Sequence, residues 1–228
     1  MRMKGYIGMS RSARFTIMGV VAATTLLTAP GVAQAGPAFT PGAPGVGDPY
    51  FPLDGNGGYD VTSYDLAIRY DPASDVLSGI ATIRARATQN LSRFDLDLDG
   101  LTVRAIAVHG RPARFTRAAG ELVVVPANGL PEGSDFTTIV RYDGVPEILP
   151  DGSGFIHTDD GALVIGEPDV AATWFPVNDH PIDKASYTFH ITGPDGLEAI
   201  ANGVPVGRTS QGGWATWTWR AAEPMASY

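Results

Sequence analysis

Apolar and polar residues alternate along most of the chain from Tyr59 onward. Between positions 80 and 87, for example, Ala81, Ile83 and Ala85 alternate with Thr82 and Arg84. Similar segments recur at 59–70, 94–99, 103–108, 122–125, 136–142, 187–191 and 214–219, with Gly, Pro, Asp or Asn between them. Because successive side chains of a strand point to opposite faces, this period of two predicts strands. The sequence therefore predicts an all-β fold of layered antiparallel sheets resembling a sandwich.

The first 57 residues lack this alternation and fall into two segments. Arg11 and Arg14 precede an apolar run at 15–29, and Ala33-Gln34-Ala35 follows it. This order is typical of a secretory signal peptide, and the run is shorter than the roughly 20 apolar residues that a membrane-spanning helix needs. We therefore expect residues 1–35 to be a signal peptide cleaved after Ala35, and the protein to be secreted without a stable membrane anchor. We expect residues 36–57 to form a Pro/Gly-rich linker and residues 58–228 to form one β domain.

Composition excludes several classes of function. The chain of 228 residues has 24 Asp and Glu against 16 Lys and Arg, and its net charge of −8 argues against binding nucleic acid. It has no cysteine, which excludes disulfides and thiolate metal sites. It has four histidines but no HExxH sequence, so it does not encode that type of zinc site. The residues alone therefore predict no catalytic group and no metal ligands.

Two acidic strings are candidates for metal binding, and each has a simpler interpretation. Asp95-Leu96-Asp97-Leu98-Asp99 resembles the start of a calcium loop, but Ile106 stands at the twelfth position, where the loop needs Glu. We interpret this string as the exposed acidic face of a half-buried strand. The string Asn178-Asp179-His180-Pro181-Ile182-Asp183 is interpreted as a turn in which Asp179 accepts backbone N–H groups.

Two further groups of residues leave other functions open. Ser153 and His157 lie close in sequence, but the Gly-x-Ser-x-Gly string of many serine hydrolases is absent. Trp214, Trp217 and Trp219 predict either core packing or a platform on which a carbohydrate could stack. A secreted β-sandwich module that binds carbohydrate or protein without enzymatic activity is therefore the alternative function.

Several short strings occur together in a specific order. They are Gly58-Tyr59-Asp60-Val61, Leu96–Leu101, Gly152–Phe155, Trp174–Pro181, Ala201-Asn202-Gly203 and Glu223–Tyr228. In this order and spacing they resemble the N-terminal domain of the M1 (gluzincin) metallopeptidases, the aminopeptidase N-like family. The resemblance covers about residues 58–228.

The resemblance implies a saddle-like β domain that precedes a catalytic domain. In the family that next domain carries G-x-M-E-N and HExxH-x18-E, and this sequence ends at Tyr228 without either string. We therefore expect a fragment, a truncated gene or a split protein that is inactive alone. The partners implied are the catalytic domain and the N-terminus of a peptide substrate, and zinc is expected in the missing domain.

The resemblance also implies one substrate-binding residue, Glu167, eight positions before Phe175. It matches an acid that helps to hold the α-amine of the substrate in many members. Two neighbouring positions depart from the family pattern. Ile165 replaces a frequent Gln, and Ala171-Ala172 replaces an Ala-Arg pair. The alternative is that Glu167 is simply an acid at the end of a strand.

Overall fold

The computed structural model describes residue 36 and residues 38–118, 120–167 and 169–228, and the predicted signal peptide lies outside the described residues. The strands, in chain order, are β1 (Thr40–Pro41), β2 (Tyr59–Asp71), β3 (Val76–Ala87), β4 (Leu91–Asp97), β5 (Thr102–Val108), β6 (Arg111–Pro112), β7 (Arg114–Ala118), β8 (Glu121–Val125), β9 (Asp135–Gly144), β10 (Gly154–Thr158), β11 (Gly161–Ile165), β12 (Ala185–Pro194), β13 (Val204–Gln211) and β14 (Trp214–Met225). A short 3-10 turn spans Ala171–Thr173. No helix within these ranges is long and apolar enough to cross a membrane.

The largest element is an eight-stranded sheet with the order β13-β14-β12-β2-β3-β9-β5-β6. Its neighbouring strands are antiparallel except for β12 and β2, which run parallel. A four-stranded sheet with the order β1-β4-β8-β7 and the hairpin β10–β11 complete the strands. The predicted all-β class is confirmed, and the sheets are mixed rather than purely antiparallel.

The two larger sheets share one hydrophobic core. Leu66 and Val140 of the large sheet and Leu96 and Leu122 of the small sheet are fully buried members of the same cluster. The burial in β3 follows the predicted alternation, because Ala81, Ile83, Ala85 and Ala87 are all buried. Alternating burial against a second layer explains why these segments form strands and not helices.

Strand β2 departs from simple alternation at one point. The register of its pairing with β3 shifts between Val61 and Ser63. As a result Val61 and Tyr64, three positions apart, are both buried. A β-bulge inserts one extra residue in this way and moves the following side chains to the other face.

Glycine is required at one position of the sheet interior. Gly79 of β3 lies directly opposite Tyr142 of β9. A Cβ atom at Gly79 would lie 2.2 Å from the ring carbon Cζ of Tyr142, and that ring is buried. The tyrosine ring therefore occupies the space that any other side chain at position 79 would need.

The acidic strand β4 corrects one expectation from the sequence. Asp95 and Asp97 are only 2% and 8% exposed, so the prediction of an exposed acidic face was wrong. A segment from far along the chain covers this end of the strand. Asp97 exchanges backbone hydrogen bonds with Val177, at 2.8 and 3.1 Å, and the Asp99 N–H donates to the Ala172 carbonyl. Alternation along a strand cannot reveal that a distant loop packs on its polar face.

Candidate functional site

Glu167 lies in the turn between β11 and the 3-10 turn, and its side chain is exposed. Its neighbour Gly166 is buried, and a Cβ atom there would lie 3.3 Å from the Tyr228 carbonyl oxygen. The turn is closed by a hydrogen bond from the Val170 N–H to the Gly166 carbonyl at 3.4 Å. Glu167 is therefore accessible to solvent, and its neighbour Gly166 lies against Tyr228.

A large cavity opens next to this turn. Its volume is about 520 Å³, and it is lined mainly by aromatic and other apolar side chains from β2, the hairpin β10–β11, β12 and β14. Tyr70, Phe155, Trp174 and Phe189 form part of its wall. Gly166 also lines this cavity, whereas Glu167 is not among its lining residues. Glu167 thus directly follows a residue of the cavity wall, and its predicted contact with a substrate amine stays a prediction.

A second, smaller cavity of about 260 Å³ is acidic. Six carboxyl groups from four parts of the chain line it: Asp54, Asp97, Asp99, Glu121, Asp169 and Asp179. Asp97 of β4 and Glu121 of β8 are direct cross-strand partners, so their side chains leave the small sheet on the same face. This arrangement brings six carboxyl groups to the wall of one small cavity.

The electrostatics of this cavity follow from burial. Burial is the main reason that the pKa of Asp97 rises to about 8 and that of Glu121 to about 7. Neighbouring carboxylates add to both shifts, since Glu121 disfavours the charge on Asp97 and Asp95 disfavours the charge on Glu121. Burial likewise raises the pKa of Asp179 to about 6. The cavity therefore exchanges protons with solvent near neutral pH.

The string at 178–183 forms a hydrogen-bonded network, in agreement with its interpretation as a turn. The Asp179 carboxylate accepts from the Ala172 N–H at 3.0 Å and from the Ser227 hydroxyl at 2.6 Å. The Asp183 carboxylate accepts from the Val61 N–H at 3.1 Å and from the Asn178 side-chain amide. These carboxylates thus tie the turn to β2 and to the chain end.

Zinc does not fit the residues that the structure describes. Among them no group of three His, Cys, Asp or Glu side chains is arranged to hold a metal ion. His180 instead lies 3.4 Å from Asp48, and the His157 Nδ1 atom lies 2.9 Å from the Tyr70 hydroxyl, which donates to Asp75. The donor set of the described chain therefore supplies no zinc centre.

The other candidates from the sequence have structural contacts. The Ser153 hydroxyl donates to Asp151 at 2.6 Å, so it is not directed to His157. Trp217 is only 8% exposed, and the Trp219 indole N–H donates to the Ala199 carbonyl at 2.9 Å. Arg69 covers the Trp214 ring at 3.2 Å from its centroid. These contacts agree with packing as the role of the tryptophans.

The acidic cavity was not found from the sequence. Asp54 lies in the Pro/Gly-rich segment and Glu121 at the start of a five-residue strand, so no local spacing connects them. One sequence signal does point to the cavity. Ala172, which stands where the family resemblance has an arginine, lines its wall.

Comparison with known proteins gives consistent results. The family model described as the peptidase M1 N-terminal domain matches residues 61–228. The crystal structure of an M1 zinc metallopeptidase from Deinococcus radiodurans is 32% identical, with a TM-score of 0.75 over 80% of this chain and 43% of that chain. A mutant of an M1 zinc metallopeptidase from the same organism bound to a Tyr-Ser-Ala substrate gives 32% identity and a TM-score of 0.75, over 80% and 44%.

A two-domain M1 zinc metallopeptidase mutant bound to L-tryptophan gives the same identity, TM-score and coverage as the substrate complex. A comparison with curated proteins finds no match. The chain thus spans less than half of the length of the solved structures that it matches.

Proposed function

The chain belongs to the M1 peptidase family, as its N-terminal domain, and from this premise we propose that it serves an exported zinc metallo-aminopeptidase without carrying out the chemistry itself. In that protein it would form part of the wall of the substrate cleft and help to hold the N-terminus of the peptide. The match of the family model to residues 61–228 is the observation that carries the proposal.

Glu167 is the proposed contact to the peptide. A peptide α-ammonium group has a full positive charge and several N–H donors, and a carboxylate is its natural acceptor. Two observations support this role: Glu167 is exposed, and it directly follows Gly166, which lines the large cavity. The interaction would orient the free amine end of the peptide while other residues act on the scissile bond.

Zinc would belong to a catalytic domain outside this chain. When bound there, a zinc ion supplies Lewis acidity and activates water. The described residues of this chain offer no matching ligand set, so their proposed contribution is limited to binding and orienting the peptide.

The proposal predicts a clear difference between the chain and the complete protein. The purified chain should retain no stoichiometric zinc after dialysis and should not release a chromophore from aminoacyl anilides. The same domain joined to an M1 catalytic domain should retain stoichiometric zinc and should release the chromophore. About one equivalent of zinc in the chain alone, together with turnover that EDTA abolishes, would contradict the proposal.

We also propose that the protein is exported. The basic residues Arg11 and Arg14, the apolar run after them and Ala33-Gln34-Ala35 support this proposal. Mass spectrometry of the secreted protein should find Gly36 as the first residue. A mature product that retains residues 15–29 would contradict export by cleavage.

A further inference from the structure

Residues 43–57 form a surface loop whose two ends lie next to each other. The Gly57 N–H donates to the Ala43 carbonyl at 2.9 Å, which closes the loop. The Asn56 N–H donates to the side-chain oxygen of Asn178 at 2.5 Å, which fixes that end to the domain. A compact loop with adjacent ends can swing on those ends without disturbing the sheets.

The tip of this loop is not packed against the domain. Tyr50, Phe51 and Leu53 are 86%, 43% and 57% exposed, so their burial contributes little to holding the loop in place. The attachment of the loop between its two ends therefore depends largely on the contacts of its two acidic side chains, Asp48 and Asp54.

The first contact joins Asp48 to His180 and does not depend on pH above the acidic range. The His180 Nε2 atom lies 3.4 Å from the Asp48 carboxylate, and the Ile182 N–H donates to His180 Nδ1 at 3.2 Å. Because a backbone N–H can only donate, Nδ1 accepts and the ring proton is on Nε2, which faces Asp48. The N–H groups of Tyr50 and Phe51 lower the pKa of Asp48, so this carboxylate is ionised.

The second contact joins Asp54 to Asp169 and requires a proton. The two carboxyl groups are hydrogen-bonded to each other. An ionised carboxylate has no donor, so two carboxyl groups share a hydrogen bond only while one of them is protonated. Burial, followed by the charge of Asp169, raises the pKa of Asp54 to about 6. The pair therefore holds its proton in mildly acidic solution and releases it at higher pH.

The other groups around Asp54 do not compensate its charge. Asp48 disfavours the ionised form of Asp54, and His180 favours it. None of the described residues in the wall of the acidic cavity, which Asp54 shares, is Lys or Arg. The charged and titratable groups that face Asp54 from its own loop and from the surrounding elements are Asp48, Asp97, Asp99, Glu121, Asp169, Asp179 and His180.

We propose that the 43–57 loop is a proton-dependent flap over the acidic cavity, with the Asp48 contact as its hinge and the carboxyl pair of Asp54 and Asp169 as its clasp. Leu53 and Asp54 line the cavity, so release of the clasp uncovers part of its wall. The flap does not depend on the peptide contact proposed above.

The direction of the pH dependence follows from proton linkage. In the open loop Asp54 would have its ordinary pKa of 3.8, and in the closed loop the pKa is about 6. The closed loop therefore binds a proton that the open loop has released, and the ratio of closed to open loop falls as pH rises through about 6. With these two values the ratio should fall about tenfold between pH 5 and pH 7.5.

A distance measurement by pulsed electron paramagnetic resonance tests the proposal. The chain has no cysteine, so spin labels can be attached selectively to Tyr50→Cys in the loop and to Thr116→Cys in β7, both at exposed positions. We expect two distances, of which the one for the closed loop loses weight between pH 5 and pH 7.5. Asp159→Asn, at an exposed acid, is the matched control and should leave this change intact.

Asp54→Asn should abolish the change with pH, because its amide donates to Asp169 without a titrating proton. The loop should then stay closed at pH 7.5. Asp169→Asn places the amide on the other side of the pair, should also keep the loop closed, and serves if the first variant fails to fold. One unchanged distance at both pH values would overturn the proposal. So would an Asp54→Asn loop that opens with pH as the wild type does, or one that is open at both pH values.

Discussion

Asp183 and Glu121 are two buried carboxylates in contrasting surroundings. They are 7% and 8% exposed, and burial raises the pKa of each to about 7. Asp183 accepts hydrogen bonds from the Val61 N–H and the Asn178 amide, whereas Oε2 of Glu121 has no partner in the described part of the chain. The two carboxylates are therefore equally buried but differ in their hydrogen bonding. Asp183 connects elements of the fold, whereas Glu121 leaves a buried carboxylate oxygen without a hydrogen-bond donor.

Removing Asp183 should have the largest effect on stability. Asp183→Ala leaves the Val61 N–H and the Asn178 amide without their acceptor in a buried place. We expect the free energy of unfolding to fall by about 1–3 kcal/mol, measured by urea unfolding at pH 7. Asp183→Asn, which keeps one acceptor oxygen, should lose less. A loss within about 0.5 kcal/mol for Asp183→Ala would remove the contrast with Glu121.

Glu121→Gln should raise the free energy of unfolding, whereas Asp183→Ala lowers it. The increase should occur only above acidic pH. The folded pKa of Glu121 is raised to about 7 from an ordinary value of 4.5. The folded state therefore holds a proton that the unfolded state has already released, so stability falls as pH rises from about 4.5 to about 7. We expect the variant to be more stable than wild type by about 1–2 kcal/mol at pH 8 and equal to it at pH 4.

Urea unfolding of both proteins across this pH range gives the difference directly. Exposed Glu132→Gln is the control and should show no such pH dependence. A Glu121→Gln advantage that is constant with pH, or absent at pH 8, would mean that the carboxylate is not destabilised by burial.

Ala172→Arg should add a positive charge to the acidic cavity. Its effect on stability should be smaller than that of Glu121→Gln. Ala172 lines the acidic wall, and its N–H donates to Asp179. A guanidinium group at this position would pair with the neighbouring carboxylates and raise stability at pH 8 by about 1 kcal/mol. The gain should shrink toward pH 5 as Asp97 and its neighbours take up protons. An unchanged or lower stability of Ala172→Arg at pH 8 would contradict this prediction.

Glu167→Ala should have the smallest effect on stability. Its side chain is exposed in the turn after β11. The free energy of unfolding should therefore change by no more than about 0.5 kcal/mol. A larger loss in a melting curve would assign Glu167 to the fold, with Asp183, instead of to a ligand.

Local patterns in the sequence were sufficient for the strands but not for the acidic cavity. Alternation placed Ala81, Ile83 and Ala85 correctly, because the layer that covers β3 buries every second residue. The same pattern failed for Asp95 and Asp97, which are both buried. Asp97 exchanges backbone hydrogen bonds with Val177, which is far along the chain. Long-range packing of this kind leaves no periodic signal in either segment.

The candidate site was predictable only as far as single motifs allow. Glu167 could be placed by its distance from Phe175, and its exposure depends on the turn that follows β11. Glu121 and Asp54 come together only in three dimensions. Short edge strands such as β6 and β7 were also missed, since strands of two and five residues with mostly exposed side chains carry little alternation.

The kinetic effect of Glu167→Ala tests the proposed function most directly. The comparison requires the domain together with its catalytic domain, and it uses peptides with a free or a blocked N-terminus. Loss of a hydrogen bond to a charged amine should lower kcat/KM for free peptides about 10- to 150-fold and leave blocked peptides nearly unchanged. Glu132→Ala, at another exposed acid, should leave both unchanged. Equal losses on free and blocked peptides, or no loss on either, would contradict a role of Glu167 in holding the substrate amine.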